Sequence, residues 1–244
     1  MIKSTSTNDQ VKAHGLSDVR SLFNAKAKTW TKKYKAGGAL AFRMRAFTGS
    51  VETLLDAGDR ILDLGCGTGP IAAACSRIGF RVTACDIAEE MIEVGRRIYP
   101  DSTIDWRLLP QEWERLPFDP CTFHGIIASS VFEYVGDVKS VISECHRILK
   151  PGAILIATIP NLRAPSRKLE KIIRPAVTVL KCLPGTDRIP KLHSYGSYLK
   201  LSRNRWPLEE WVRIGNEAHF EVLDGIRKGA LNGSLCLLVF RKMS

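Results

Sequence analysis

Apolar runs and stretches of helical periodicity alternate along this chain from about residue 60 onward. Ile61-Leu62-Asp63-Leu64, Val82-Thr83-Ala84-Cys85, Gly125-Ile126-Ile127-Ala128 and Ala153-Ile154-Leu155-Ile156 are short and apolar. Such runs predict buried strands, over 60–64, 81–85, 123–129 and 153–158. The segments between them, 69–78, 88–98 and 137–149, predict helices; in the last, Val138, Val141, Ile142, Cys145, Ile148 and Leu149 share one face. A weaker strand at 103–108 is marked by Trp106. Strands alternating with helices predict an α/β fold, a mostly parallel sheet with helices on both faces. In the tail, Phe220-Glu221-Val222-Leu223 and Ser234 to Phe240 follow each other with no helix between, so they must pair antiparallel. The expected sheet therefore has seven strands and closes in an antiparallel hairpin.

The flanks differ from this core. Residues 1–16 are polar, and Ser17-Asp18 can cap a helix from about 18 to 35 whose apolar side carries Leu22, Phe23, Ala25, Ala27, Trp30 and Tyr34. Gly37-Gly38 ends it, and a second helix is expected over about 39–56. Residues 161–207 are an insertion too long for an idle loop. Within it, 168–183 interleaves Leu169, Ile172, Ile173, Val177 and Leu180 with Lys171, Arg174 and Lys181, and Pro175 would start or kink a helix there. Four parts follow: an N-terminal helical lid (1–58), a nucleoside-binding core (59–160), a basic amphipathic insertion (161–207), and a closing helix and hairpin (208–244).

Charge sharpens that division. The net charge is +11. Residues 1–45 hold ten Lys and Arg against two acids, and 161–207 hold eleven against two, while 46–160 are net acidic with ten against sixteen. All the basic excess lies outside the core, which favours an anionic acceptor or an anionic surface. The seven cysteines are scattered with no CxxC pair, so reduced thiols and no metal site are expected. No secretory leader and no membrane-length apolar run appear, which predicts a cytoplasmic protein, with the insertion suited to peripheral membrane contact.

The chemistry concentrates at Asp63-x-Gly65-x-Gly67-x-Gly69, with Asp86 seventeen residues beyond the last glycine. Glycines at a strand end let the backbone turn and approach a ligand, and an acid closing the next strand can accept both hydroxyls of a ribose. A P-loop is excluded because no Gly-Lys-Ser/Thr follows. The pattern resembles motif I of the class I S-adenosylmethionine (SAM)-dependent methyltransferases of the type 11/12 kind. The likeness continues in order through Asp86-Ile87-Ala88-Glu89-Glu90-Met91-Ile92, Leu116-Pro117-Phe118, Phe123 to Val135, and Leu149-Lys150-Pro151-Gly152.

The resemblance implies a Rossmann-like core that binds SAM and yields S-adenosylhomocysteine, with no metal. It implies Asp63 near the methionine amino group, Gly65, Gly67 and Gly69 against the methionine part, and Asp86 on the ribose. Ile87, Met91, Glu112 and Trp113 would border the nucleoside, and Ser129 would face the sulfonium. Phe23, Trp30, Tyr34 and Arg43 look like the family's N-terminal helix and following arginine, with Arg43, or Arg45, on the methionine carboxylate. Candidate bases are His193 and Tyr195 in the insertion and Glu133 or Tyr134 in the core, although Glu133 equally suits a capping role; His124 reads as structural. Cys182-Leu183-Pro184-Gly185-Thr186-Asp187 is loosely similar to a motif of the ubiquinone-pathway O-methyltransferases, whose insertion touches anionic lipid.

The expected activity is methyl transfer, to oxygen, on an anionic, lipid-linked or amphipathic small molecule. Methyl transfer from a sulfonium is an in-line displacement that needs alignment and dryness, and a base only where the nucleophile must lose a proton. Two alternatives remain: a nucleic-acid methyltransferase drawn by the same basic charge, and a SAM-binding regulatory protein without catalysis.

Overall fold

A computed structural model of the chain describes residues 18–38, 40–100, 103–110, 113, 115–180, 190–223, 230–231 and 234–244, with backbone alone over 176–180, 190–195 and 230–231. The strands are β1 (Arg60–Leu64), β2 (Arg81–Asp86), β3 (Asp105–Leu108), β4 (Phe123–Ala128), β5 (Leu149–Pro160), β6 (Phe220–Val222), β7 (Ala230–Leu231) and β8 (Leu235–Lys242). They form one sheet in the order β3-β2-β1-β4-β5-β8-β6, with β7 paired to β8 off that path. β1 to β5 run parallel to one another, whereas β8 lies antiparallel between β5 and β6. The closing hairpin expected from the tail is present, and β7 adds a strand too short to read from its residues. Strand order reverses at β1, which neighbours both β2 and β4, so the crevice of an open α/β sheet opens at the carboxyl ends of these strands.

The helices are α1 (residues 18–24), α2 (Ala27–Trp30), α3 (Ala41–Leu54), α4 (Pro70–Arg77), α5 (Glu89–Ile98), α6 (Val138–Ile148), α7 (Pro165–Leu180), α8 (Pro190–Leu201) and α9 (Leu208–Glu217). Alternation along the strands divides the core between two faces. Leu62, Ile126, Leu155 and Ala157 pack with Val141, Ile142 and Cys145 of α6 and Trp211 and Ile214 of α9. Ile61, Ile127, Ile154 and Ile156 pack with Phe47 and Val51 of α3 and Ile71, Ala72 and Cys75 of α4.

Three expectations change. The single helix over 18–35 is broken: a turn at 25–26 separates α1 from α2, and Thr31–Tyr34 tightens into a 3₁₀ turn. Tertiary contacts override local periodicity here. The break seats Ala27 against buried Ala88 and Met91 and brings Thr31 Oγ1 to 2.7 Å from Thr68 Oγ1. α1 is tied down by Arg20 to Glu89 at 3.4 Å and by the Glu90 N–H donating to Asn24 Oδ1 at 3.2 Å. In the insertion, α7 starts at Pro165 and runs through Pro175, and α8 follows it, an element that the sequence pattern did not reveal. β5 extends to Pro160, held by seven residue pairs with β8.

Candidate active site

The glycine loop is shaped by what leans on it. Gly67 has φ +57°, and a Cβ there would sit 2.7 Å from Trp30 Nε1. Gly69 has φ +73°, and its Cβ would sit 2.2 Å from the Trp106 ring, which also presses on Gly95 of α5. Gly67 therefore admits the N-terminal segment and Gly69 admits a core tryptophan. The loop is pinned from beneath by Asp86. Its Oδ2 accepts from the Gly67 N–H at 2.8 Å and its Oδ1 from the Ala88 N–H at 2.9 Å. Burial raises the Asp86 carboxyl while those backbone donors oppose the rise. Two bonds leave a carboxylate further acceptor sites on both oxygens, as a vicinal diol needs.

Asp63 lies behind the loop with 1% of its surface exposed. Neither carboxylate oxygen has a partner in hydrogen-bonding geometry. Burial pushes this carboxyl up to about 7, the Ala72 N–H offsetting only part of it and the Asp86 charge adding to it. Arg43, from α3, is also buried; its Nη1 donates to Ser129 Oγ at 3.4 Å and its Nε has no partner. An unpaired buried carboxylate and an unpaired guanidinium N–H beside one glycine loop match the ammonium and carboxylate of an amino acid. The residues present therefore fit the methionine end of SAM.

A cleft of about 860 Å³ takes in Arg43 and Asp86, whereas Asp63 lies behind its wall and does not line it. Arg43, Gly65, Gly67, Asp86, Ile87, Trp113, Ser129, Glu133 and Tyr134, all singled out from the sequence, line it. Others do not. Tyr34 is buried, its phenol raised by burial against the opposing charge of Arg43. Met91 is a core residue under Ala27, and Gly69 serves Trp106; neither borders the cleft. His124 accepts from the Arg60 N–H at 3.1 Å and faces Asp59 at 3.4 Å, at the amino ends of β1 and β4, away from the cleft. Glu112 and the side chains of His193 and Tyr195 lie outside the described residues.

The far wall was not legible in advance. Ser130 sits at φ +56°, rare for a residue with a side chain, and its N–H donates to Thr158 Oγ1 at 2.8 Å. This turn aims the chain after β4 along the cleft. Asn204 Nδ2 donates to the Phe132 and Val135 carbonyls at 2.8 and 2.7 Å, and Ser202 Oγ donates to Glu133 Oε2 at 2.8 Å. The loop after β4 is thus stitched to the end of the insertion. Glu170 Oε2 accepts from both Arg167 and Arg205, at 2.9 and 2.7 Å, and Arg167 also donates to Tyr198 Oη at 2.8 Å. Phe23, Tyr134 and Tyr198 meet edge to face, with centroids 5.3 and 6.3 Å apart. Burial first, then Glu133, raises the Tyr134 phenol well above its ordinary value, so it is a poor proton acceptor at neutral pH.

Asp63 yields a pH prediction. Its native pKa of about 7 lies above the ordinary 3.8, so the folded protein retains a proton that the unfolded chain releases. Its contribution to stability therefore falls as pH rises between those values. Asp63→Asn should gain stability relative to wild type across that window and level off above it in urea titrations. A difference constant with pH contradicts an uncompensated buried carboxyl.

Residues 62–157 match a family model described as a methyltransferase domain. The ubiquinone biosynthesis O-methyltransferase of Xanthomonas campestris pv. campestris (strain B100) is 32% identical over 158 residues, covering 64% of this chain and 61% of that protein. The chain thus spans about three-fifths of that relative's length. A putative methyltransferase solved with the Trm112 methyltransferase activator of Haloferax volcanii superposes with a TM-score of 0.63 at 18% identity, over 91% of this chain and 98% of that one. The [4+2]-cyclase SpnF superposes with a TM-score of 0.57 at 20% identity, over 81% of this chain and 80% of that one. The motif order, the domain match and the shared fold agree: residues 62–157 are a class I SAM-dependent methyltransferase domain.

Proposed function

We propose that the whole chain transfers a methyl group from SAM to an oxygen atom of an anionic or amphipathic small molecule. One observation carries the reading: Asp86 and Arg43, suited to the cofactor's ribose and carboxylate, and side chains from the N-terminal segment and the insertion line a single cleft. Its volume, about 860 Å³, lies in the range of ligand pockets. Transfer to oxygen is supported by the named O-methyltransferase relative at 32% identity.

Bound SAM supplies a methyl group already activated by its sulfonium. The chain supplies position and dryness. Asp86 would take the ribose hydroxyls and Arg43 the methionine carboxylate, Asp63 would act on the ammonium as a charge from behind the loop, and Ile87, Leu109 and Trp113 offer an apolar slot for the base. Phe23, Trp30 and Tyr134 wall the acceptor side, where excluding water strengthens every charge interaction. Among the described acids lining the cleft, Asp86 and Asp137 are tied to backbone N–H groups, and Glu133 to a hydroxyl alone. Glu133 is therefore the group placed to take a proton from the acceptor oxygen.

With SAM and a phenolic amphiphile, one S-adenosylhomocysteine should appear per methyl found on oxygen by mass spectrometry. Glu133→Gln keeps an acceptor for Ser202 and should lower kcat by about 100-fold with the melting temperature and KM little changed. No methyl incorporation into any phenol or carboxylate, or an unaltered kcat and pH profile in the variant, contradicts these roles.

A membrane surface fits α7. Leu169 and Ile172 are 57% and 74% exposed beside exposed Lys168 and Lys171, and among the described residues no helix is long and apolar enough to cross a membrane. Basic amphipathic faces of this kind lie in the headgroup region. Co-sedimentation with anionic vesicles should be salt-sensitive and absent with zwitterionic ones; equal recovery with both contradicts it.

A further inference from the structure

Five lysines fall between residues 26 and 35, and the fold separates them. Lys28, Lys32 and Lys35 are exposed, whereas Lys26 and Lys33 are half-buried and line the cleft. Positions 26, 30 and 33 recur at helical spacing, so these two lysines flank Trp30 on the inward side. Lys33 Nζ lies 4.3 Å from the Trp30 ring centroid and Lys26 Nζ 5.9 Å from that of Phe23. Both are within cation–π reach, which orients the ammonium groups without neutralising them.

Neither lysine has an acidic partner among the described residues. The charges each one feels are cations, Lys33 for Lys26 and Arg43 for Lys33. Burial, and then that repulsion, lower both lysines from their ordinary value. None of the cleft's described acids pairs with either lysine: Asp86 accepts from Gly67 and Ala88, Asp137 from Ser140 and Glu133 from Ser202. Bound cofactor would bring a further positive charge on sulfur, and its carboxylate is matched by Arg43. Two half-buried ammonium groups without a counter-charge leave a site that an anion relieves.

We propose that Lys26 and Lys33 together bind the anionic group of the methyl acceptor, a carboxylate or a phosphate, at the mouth of the cleft. The assignment rests on the methyltransferase reading above. Trp30 and Phe23, lying under the same ammonium groups, contact the apolar part of that molecule.

The test is calorimetry on protein loaded with S-adenosylhomocysteine, using phenol, benzoate and phenyl phosphate as probes. At least one of the two anions should bind about tenfold more tightly than phenol, and the tighter of them identifies the group preferred. The K26Q/K33Q double variant should lose that margin while keeping the wild-type melting temperature and S-adenosylhomocysteine affinity, and K26R/K33R should restore it. A margin that survives in K26Q/K33Q, or phenol binding as tightly as both anions, overturns the assignment. A fall in S-adenosylhomocysteine affinity in K26Q/K33Q also overturns it, by giving the lysines to the cofactor. If wild type does not bind S-adenosylhomocysteine at all, the methyltransferase reading fails and takes this assignment with it. If it binds that molecule without preferring anions, only the assignment fails.

Discussion

The clasp between Asp86 and the backbone N–H of Gly67 organises the site. It joins the end of β2 to the loop that leaves β1, and so fixes the floor of the crevice where strand order reverses. Three other features depend on that floor. The Trp30 indole rests where a Gly67 side chain would be, which draws the N-terminal segment over the cleft. Trp106 fills the space left by Gly69 and Gly95, locking β3 and α5 against the loop. Asp63, sealed behind the loop, retains a buried carboxyl that only the Ala72 N–H offsets. A charge in that position is costly in the isolated protein and well matched to a cationic amine.

The opposite wall is built by polar stitching. Asn204 holds two carbonyls of the loop after β4, Ser202 holds Glu133, and Glu170 gathers Arg167 and Arg205. Breaking one member of such a network leaves buried partners unsatisfied, so its geometry is all-or-none to a first approximation. The insertion is therefore part of the cleft wall and carries side chains to it.

How much of this was legible follows from the range of each signal. β1, β2 and β4, the glycine loop and Asp86 were readable because their patterns are local: an apolar run, a turn chemistry, an acid at a strand end. The closing antiparallel hairpin was readable because a missing crossover helix forces it. The break after α1 was not, because it comes from contacts with Ala88, Met91 and Thr68, far along the chain. Met91 and Gly69 were given to the cofactor by motif position, yet packing claims both. Arg167, Tyr198, Ser202 and Asn204 gave no local sign, since each acquires meaning from a partner over 30 residues away. Lys26 and Lys33 did leave a trace, their spacing around Trp30, which a count of net charge conceals.

The same architecture carries a [4+2]-cyclase, so the sheet and its crevice do not by themselves fix the reaction. What ties this chain to SAM is the chemistry of the crevice, above all the acceptor sites left on Asp86 once Gly67 and Ala88 are satisfied. Calorimetric titration of S-adenosylhomocysteine into wild type and Asp86→Ala, which removes those sites together with the clasp on Gly67, tests it. The variant should bind more weakly by about 1.5–3 kcal/mol, roughly a ten- to hundredfold loss, with its circular dichroism unchanged. Equal affinity in the two proteins would contradict the account, because the ribose would then be held elsewhere.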